Sequence, residues 1–402
     1  MTTVLDQTDM VQIPNTPTLV AEENLNHKQR VKVQPVEAVV VQAPEPRLRG
    51  PAMKEKSESS RRDRLPVTGE YFENEKGDRF ILRQKLGDGA MGHVFLSTFA
   101  AKTVAIKTEK YSTGMLPMEI KVLLNVKKFG EKHGGTHFCD IIDYGTIRRE
   151  YNYMVISLLG KDLYRLRAEQ PNRSFTLNTT TKIALETLEA IEQLHSVGYL
   201  SRDVKPSNFA PGMREFGEHK TIYMFDFGLA KKFLDREGKK MKSRGEVGWR
   251  GTVRYGSLQA HKRLDLGRRD DIECWFYMLI EMCAGELPWR HMTDRALVGQ
   301  AKLAVRNEQR YSFFCNLPRQ FEKIMDMIDL YSFDIRPEYK HLKSLINEIR
   351  YEYKIPDRCK WDWQIEESQH SELTEATSVM SDMAIMAEQG ATNYTDRVGE
   401  NQ

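Results

Sequence analysis

Hydrophobic and polar positions divide the chain into three stretches. Residues 1–70 are rich in Pro, Gln, Val, Thr and Glu, then in charge ("MKEKSESSRRDR"), and hold neither helical nor strand periodicity for long. Such a segment buries too little apolar surface to offset ordering, so a disordered tail is expected. From about Tyr71 the texture changes. "RFILRQKLGDGAMGHVFLSTFAAKTVAIKTEK" alternates apolar and polar residues around a Gly-rich interruption, which predicts a strand, a tight turn and two further strands. "LPMEIKVLLNVKKF" then predicts a helix, and "YNYMVISLLG" a strand running into a connector. In "TTKIALETLEAIEQLHSVG", Ala184, Leu188, Ile191 and His195 share one helical face, with Gly198 placed to end the helix. Segments 270–284, 295–304 and 338–350 are also expected to be helical. From Asp362 the chain turns acidic and Ser/Thr-rich, predicting a second disordered tail. The expected domains are therefore 1–70, 71–361 and 362–402, with a small strand-rich part preceding a larger helical part in the middle one.

Charge sharpens this division. The formal net charge is +3. Residues 1–70 balance ten basic against ten acidic residues, 362–402 set one Arg against nine acids, and 71–361 carry 49 basic against 38 acidic residues, or +11. A basic body beside an acidic tail suggests an anionic ligand, with the acidic stretch either a competitor for the same surface or simply a solvated tail, which the charges alone explain as well. The five cysteines are spread without a C-x-x-C pair, which points to free thiols in a reducing compartment. "MTTVLDQTDM" lacks the pattern of a signal peptide, and "FYMLIEMCAG" is broken by Glu281 and too short to span a bilayer. A soluble cytoplasmic protein is expected. The cluster Arg61, Arg62 and Arg64 has the composition of a nuclear signal as well as that of a solvated tail.

The chemistry concentrates in four places. Gly87, Gly89 and Gly92 fit G-x-G-x-x-G, with Asp88, Ala90 and Met91 between them and Val94 two residues on. Leading into a strand rather than a helix, such a turn lets backbone N–H groups cover phosphates, although alone it is a weak motif that reads more readily as an ordinary β-turn. Lys107 ends "TVAIK" at the distance needed to reach phosphates beneath that turn, and Glu119 on the next helix could pair with it. In "YLSRDVKPSNFA", Asp203 could accept the proton of an attacking hydroxyl and Lys205 could stabilise a transferring phosphoryl group. Asn208, with Asp226 of "FDFG", could hold magnesium. Each residue alone is explained by a turn or a cap. Seven in this order are not.

The set resembles the eukaryotic protein kinase family over roughly residues 71–361. More narrowly it resembles the casein kinase I superfamily and its tau-tubulin kinase-like branch, on "SRDVKPSNFA", "WRGTVRYGSLQAH", "RRDDIECWFYMLIEMCAGELPWR" and "RPEYKHL". The resemblance implies a bilobal α+β fold that binds ATP with Mg2+ and transfers phosphate to Ser/Thr of protein substrates, as a monomer with no nucleic-acid or membrane partner. Gly87 to Gly92 would cover ATP. Val94, Ala105, Ile156, Leu159 and Ala210 would surround adenine, with Ile156 as gatekeeper and Leu159 in the hinge. Asp271 would brace the catalytic loop, and Lys205 with Thr252 favours Ser/Thr over Tyr. Arg202, Lys231 and Arg254 match positions that gather anions near the substrate, implying acidic or phosphorylated substrates.

Met91 tops the glycine loop where an aromatic residue is common, with little consequence expected, and two further features bear on the reading. Ser257-Leu258-Gln259 stands where Ala-Pro-Glu is usual, as is typical of the casein kinase I superfamily. Ser201 replaces the histidine of His-Arg-Asp, which packs under the Asp-Phe-Gly segment and transfers no proton. That loss of support also keeps open a catalytically silent, nucleotide-binding scaffold. Between Gly228 and Gly251 the one hydroxyl-bearing residue is Ser243, so activity is expected not to require a phosphate there.

Overall fold

The computed structural model describes residues 63–89, 92–358 and 360–364. The expectations for both tails, for Ala90 and Met91 and for Cys359 fall wholly or mostly outside them. The first lobe opens with a hairpin of β1 (Tyr71–Glu73) and β2 (Arg79–Ile81). A five-stranded antiparallel sheet follows: β3 (Gln84–Gly89), β4 (Gly92–Phe99), β5 (Lys102–Lys110), β6 (Ile141–Ile147) and β7 (Tyr151–Ser157), in the order β3-β4-β5-β7-β6. Side chains alternate across a strand. Phe95, Val104, Ile106 and Val155 therefore face one side, where Phe72 and Phe80 of the hairpin cover them. Ala105, Lys107 and Glu109 face the other.

Helix α1 (Leu116–His133) crosses that second face. Pro117 opens it, Gly134 closes it in the left-handed region, and Ile120, Leu123 and Val126 bury its apolar stripe. Its N-terminus is held from outside: the Glu109 carboxylate accepts from the amides of Met115 at 2.9 Å and Leu116 at 2.8 Å. Negative charge at the positive end of a helix dipole is favourable.

The second lobe is helical. Among the described residues it contains α2 (Leu163–Glu169), α3 (Leu177–Ser196), α4 (Leu258–His261), α5 (Arg268–Ala284), α6 (Arg295–Ala304), α7 (Arg310–Phe314), α8 (Arg319–Leu330) and α9 (Tyr339–Glu352). Helix α5 is buried almost all round, its Trp275, Phe276, Tyr277 and Met278 fully so, and α3, α4 and α8 pack on it. Two short antiparallel pairs follow α3: β8 (Tyr199–Leu200) with β11 (Lys231–Lys232), and between them in the chain β9 (Phe209–Pro211) with β10 (Ile222–Met224). A strand-rich lobe before a helical one makes the chain a bilobal α+β protein. No helix among the described residues is long and apolar enough to cross a membrane.

Both ends of the folded body differ slightly from the expected boundaries. Before Tyr71, Arg64 already pairs with Glu70, and the Gly69 amide donates to the carbonyl of Leu82 at 2.7 Å. Beyond Trp361, the Asp362 carboxylate accepts from the Thr176 amide, the Thr176 hydroxyl and the Thr179 hydroxyl, each at 2.7 Å. It closes the N-terminus of α3, while Trp361 and Trp363 stack with centroids 4.8 Å apart. A lone acid in an acidic stretch carries no local sign of such a role. Replacing Asp362 by Ala strands three donors at a helix terminus, and we expect a loss of about 2 kcal/mol or more, read as a lower denaturant midpoint at unchanged slope.

Candidate active site

The cleft between the lobes is assembled from both. Across β4 and β5, Val94 pairs with Lys107 and Leu96 with Ala105, and Ala105 pairs on its other side with Ile156 of β7. Leu159, just beyond, forms an isolated bridge with Gly212, which follows Ala210 at the end of β9. The five residues expected around adenine therefore come from strands and a connector that meet along one seam. Gly92 opens β4 opposite Glu109, where a Cβ would run into the carbonyl oxygen of Thr108. Only glycine fits there, whereas Gly87 and Gly89 have ordinary room.

Beneath the glycine turn, the Lys107 ammonium sits 2.6 Å from Glu119 Oε2 and 3.2 Å from Asp226 Oδ1. Burial alone would push it towards the neutral form, but the two carboxylates prevail and raise its pKa above the usual lysine value. Burial likewise opposes the charge of Asp226, and Lys107 prevails, leaving its carboxyl below the usual range. With 26% of its side-chain surface still accessible, Lys107 can meet a third anion. Asp226 holds a left-handed backbone, φ 65°, rare for a residue other than glycine.

Facing this ion pair is the loop that follows α3. Asp203 is buried; its Oδ2 accepts from Lys205 Nζ at 2.6 Å, and its Oδ1 accepts from the Thr252 hydroxyl at 2.8 Å. The Asn208 side-chain amide donates to the carbonyl of Asp203 at 2.9 Å. The loop hangs from Asp271 of α5, whose carboxylate accepts from the amides of Ser201 and Arg202, both at 2.8 Å, and lies 2.9 Å from His195 Nε2. Ser201 is buried and its hydroxyl accepts from the Asp203 amide at 3.4 Å. Phe227 is fully buried beside Phe138, centroids 5.5 Å apart.

A family model described as protein kinase domain matches residues 80–348. A probable serine/threonine-protein kinase of Dictyostelium discoideum is 35% identical over 295 residues, 72% of this chain and 57% of that protein. The serine/threonine-protein kinase spe-6 of Caenorhabditis elegans is 34% identical over 310 residues, 75% of this chain and 79% of its own. This chain belongs to the protein kinase family. The likeness to these two proteins makes it a kinase domain of the serine/threonine type.

Kinase domains in general use ATP with Mg2+, and the residues at the cleft suit both. The Phe225 amide donates to the Asn208 carbonyl at 3.0 Å, so Asn208 and Asp226 leave neighbouring strands at the same end. The Asn208 amide nitrogen is spent on Asp203, which leaves its oxygen, with the Asp226 carboxylate, as a hard-oxygen donor set of the kind magnesium takes.

Each of the three expected anion-gathering residues already has a partner within the protein. Lys231 Nζ lies 2.7 Å from Asp265, and Arg254 lies 3.2 Å from the buried Glu281. Arg202 spends its Nε on the carbonyl of Leu229 at 2.8 Å. What Arg202 does join is a cavity of about 340 Å³ lined also by Arg244, Arg250 and Arg263. Asp265, also in its wall, is already bound by Arg244 and Lys231, which hold its carboxyl far below the usual range against the opposing effect of burial. Arg244, Arg250 and Arg263 form no recognisable motif because they are spread over twenty residues, from ahead of Trp249 to just beyond α4.

We expect Lys107→Met, Asp203→Asn and Asp226→Asn each to lower kcat by about 10²–10⁴-fold in a folded protein. Ser201→His should hold or raise the rate, since Ser201 only supports the loop. A folded Ser201→His protein without activity in a radiolabelled transfer assay would overturn that account of Ser201.

Proposed function

We propose that this chain transfers the γ-phosphoryl group of ATP to Ser or Thr of acidic or phosphorylated protein substrates, as a member of the tau-tubulin kinase-like branch of the casein kinase I superfamily. One observation carries the reading: Lys107, braced by Glu119 and Asp226, stands across the cleft from an Asp203 whose two oxygens are held by Lys205 and Thr252. In this reading Lys107 grips the nucleotide phosphates under the turn that ends at Gly92. Asp203 orients the acceptor hydroxyl and takes its proton, and Lys205 neutralises charge on the group in flight. Asn208 and Asp226 would hold Mg2+, which supplies further neutralisation of phosphate charge. A silent scaffold would have no use for a lysine and two acids kept at these distances.

Substrate class rests on the arginine-lined cavity and the +11 of residues 71–361. Arg250 and Arg263, both exposed, make no ion pair among the described residues, and guanidinium groups offer phosphate two parallel donors. The reading places the protein in the cytoplasm as a monomer and, through the basic cluster ending at Arg64, in the nucleus as well.

Two tests follow. On one peptide carrying Ser, Asp or phosphoserine upstream of the acceptor, kcat/KM should rise in that order. Arg250→Ala with Arg263→Ala should remove a phosphoserine advantage of about tenfold, while equal rates on all three peptides refute the preference. Ser243→Ala should keep most of the rate, because Arg202 is already engaged with Leu229. Near-complete loss, restored by an acidic substitute, would show that a phosphate on this segment is required.

A further inference from the structure

Lysine is seldom fully buried, and when it is, a carboxylate normally accompanies it. Lys302, near the end of α6, has no accessible surface and makes no ion pair among the described residues. Its ammonium donates instead to the carbonyls of Gly256 at 2.6 Å and Val253 at 3.0 Å, and lies 3.2 Å from His261 Nε2. The rings of Tyr277 and Trp289 flank it, centroids 4.9 Å and 5.4 Å away. Helix α6 can come this close because Gly299 passes the His261 ring, where a Cβ would be within 3.2 Å.

The carbonyls it holds belong to the segment that carries Thr252, the partner of Asp203. Other groups fasten the same segment. Trp289 Nε1 donates to the Arg254 carbonyl at 2.8 Å, the Tyr255 hydroxyl to Glu281 at 2.5 Å, the Ser257 hydroxyl to Asp270 at 2.7 Å and the Leu258 amide to Glu273 at 3.0 Å. In this chain Ser257-Leu258-Gln259 offers no acid to anchor the segment, so it is held through its backbone and from below.

We propose that Lys302 is a positioning residue for phosphotransfer: its ammonium fixes residues 252–256 as the platform on which the acceptor peptide lies. The inference rests on the phosphotransfer reading and deepens it. Lys302 touches no part of the nucleotide cleft described above, so its grip acts on the acceptor and not on ATP. Burial, only partly opposed by Glu273, pushes its pKa down to about 7, so the charge that does the gripping is lost within an accessible pH range. The ionisable groups facing it are Glu273, Cys274 and Tyr277 of α5, His261 of α4, and Arg306 just beyond α6. Burial keeps His261 neutral, pushed down to about 4, and the Cys274 and Tyr277 pKa values stand well above their ordinary ones. Burial thus brings the titration of the Lys302 ammonium near neutrality while keeping the His261 ring uncharged.

The test compares wild-type, Lys302→Met and Lys302→Arg full-length protein on a Ser peptide free of His and phosphate. Lys302→Met should raise the peptide KM by about tenfold or more, the weight of two charge-assisted hydrogen bonds, and leave the KM for ATP within about twofold. Lys302→Arg, which keeps a donor, should recover part of the loss. In the wild-type protein the peptide KM should climb between pH 6.5 and 8.5 while that for ATP stays level. An unchanged peptide KM in folded Lys302→Met, or equal rises for peptide and ATP, overturns the proposal. Should neither variant fold, a level wild-type peptide KM across that pH range overturns it. Absence of transfer by the wild-type protein would instead defeat the phosphotransfer reading itself.

Discussion

The Asp271 carboxylate is the point on which the catalytic side of the molecule hangs. It is buried in α5, which is itself the most enclosed helix of the second lobe. An isolated carboxylate there would be very costly, so it must be surrounded by donors. It meets three: the amides of Ser201 and Arg202 and the imidazole of His195, whose other nitrogen lies 2.6 Å from the Tyr339 hydroxyl. One side chain thereby links α3, α5, α9 and the loop. It also explains how Arg202 can adopt φ 63°, a strained region for its residue type. The two amides that Asp271 binds flank the turn and over-determine it, and Asp203 follows at once.

From the other lobe, β5 performs an equivalent task through two residues on one face. Lys107 reaches Glu119 in the first turns of α1, and Glu109 caps the amides that begin it. A helix pinned at its N-terminus and again one turn in has little freedom to swing away. The Lys107–Glu119 contact thus has a mechanical support that does not depend on the activation segment. This agrees with the engagement of Arg202 of the catalytic loop by the Leu229 carbonyl and of Arg244 by Asp265.

How much of this the sequence disclosed follows from the range of the interactions involved. Lys107, Asp203, Lys205, Asn208 and Asp226 could be picked out because phosphate chemistry dictates their types and order within short runs. Helices expected at 270–284, 295–304 and 338–350 appear as Arg268–Ala284, Arg295–Ala304 and Tyr339–Glu352. Strand β6 was not foreseen, since "IIDYGTI" at a sheet edge carries Asp143 and Gly145 in place of a clean apolar run. Asp362, Glu109 and Lys302 were out of reach for a different reason. Asp362 and Lys302 act on backbone atoms 46 or more residues away, and a backbone partner leaves no mark in the composition of the segment it holds.

That last property bears on how the substrate platform is built. An acid supplied by the segment would identify its anchor by sequence, as Ala-Pro-Glu does in other kinases. Here residues 253, 254, 256 and 258 are held by their backbone carbonyls and amide, while Tyr255 and Ser257 use hydroxyls. A platform gripped this way tolerates change in its outward side chains, because none of the backbone anchors reads a side chain. Its constraint has moved instead into the floor beneath it, to Asp270, Glu273, Glu281, Trp289 and Lys302. Burial lifts the Asp270 carboxyl to about 7 and drops Lys302 to about 7, so two members of that floor sit where loss or gain of a proton is easy. Charges kept in so poor a solvent reduce stability compared with apolar residues of the same volume. They are understandable where a fixed backbone beside Asp203 is worth more to the protein than the stability lost.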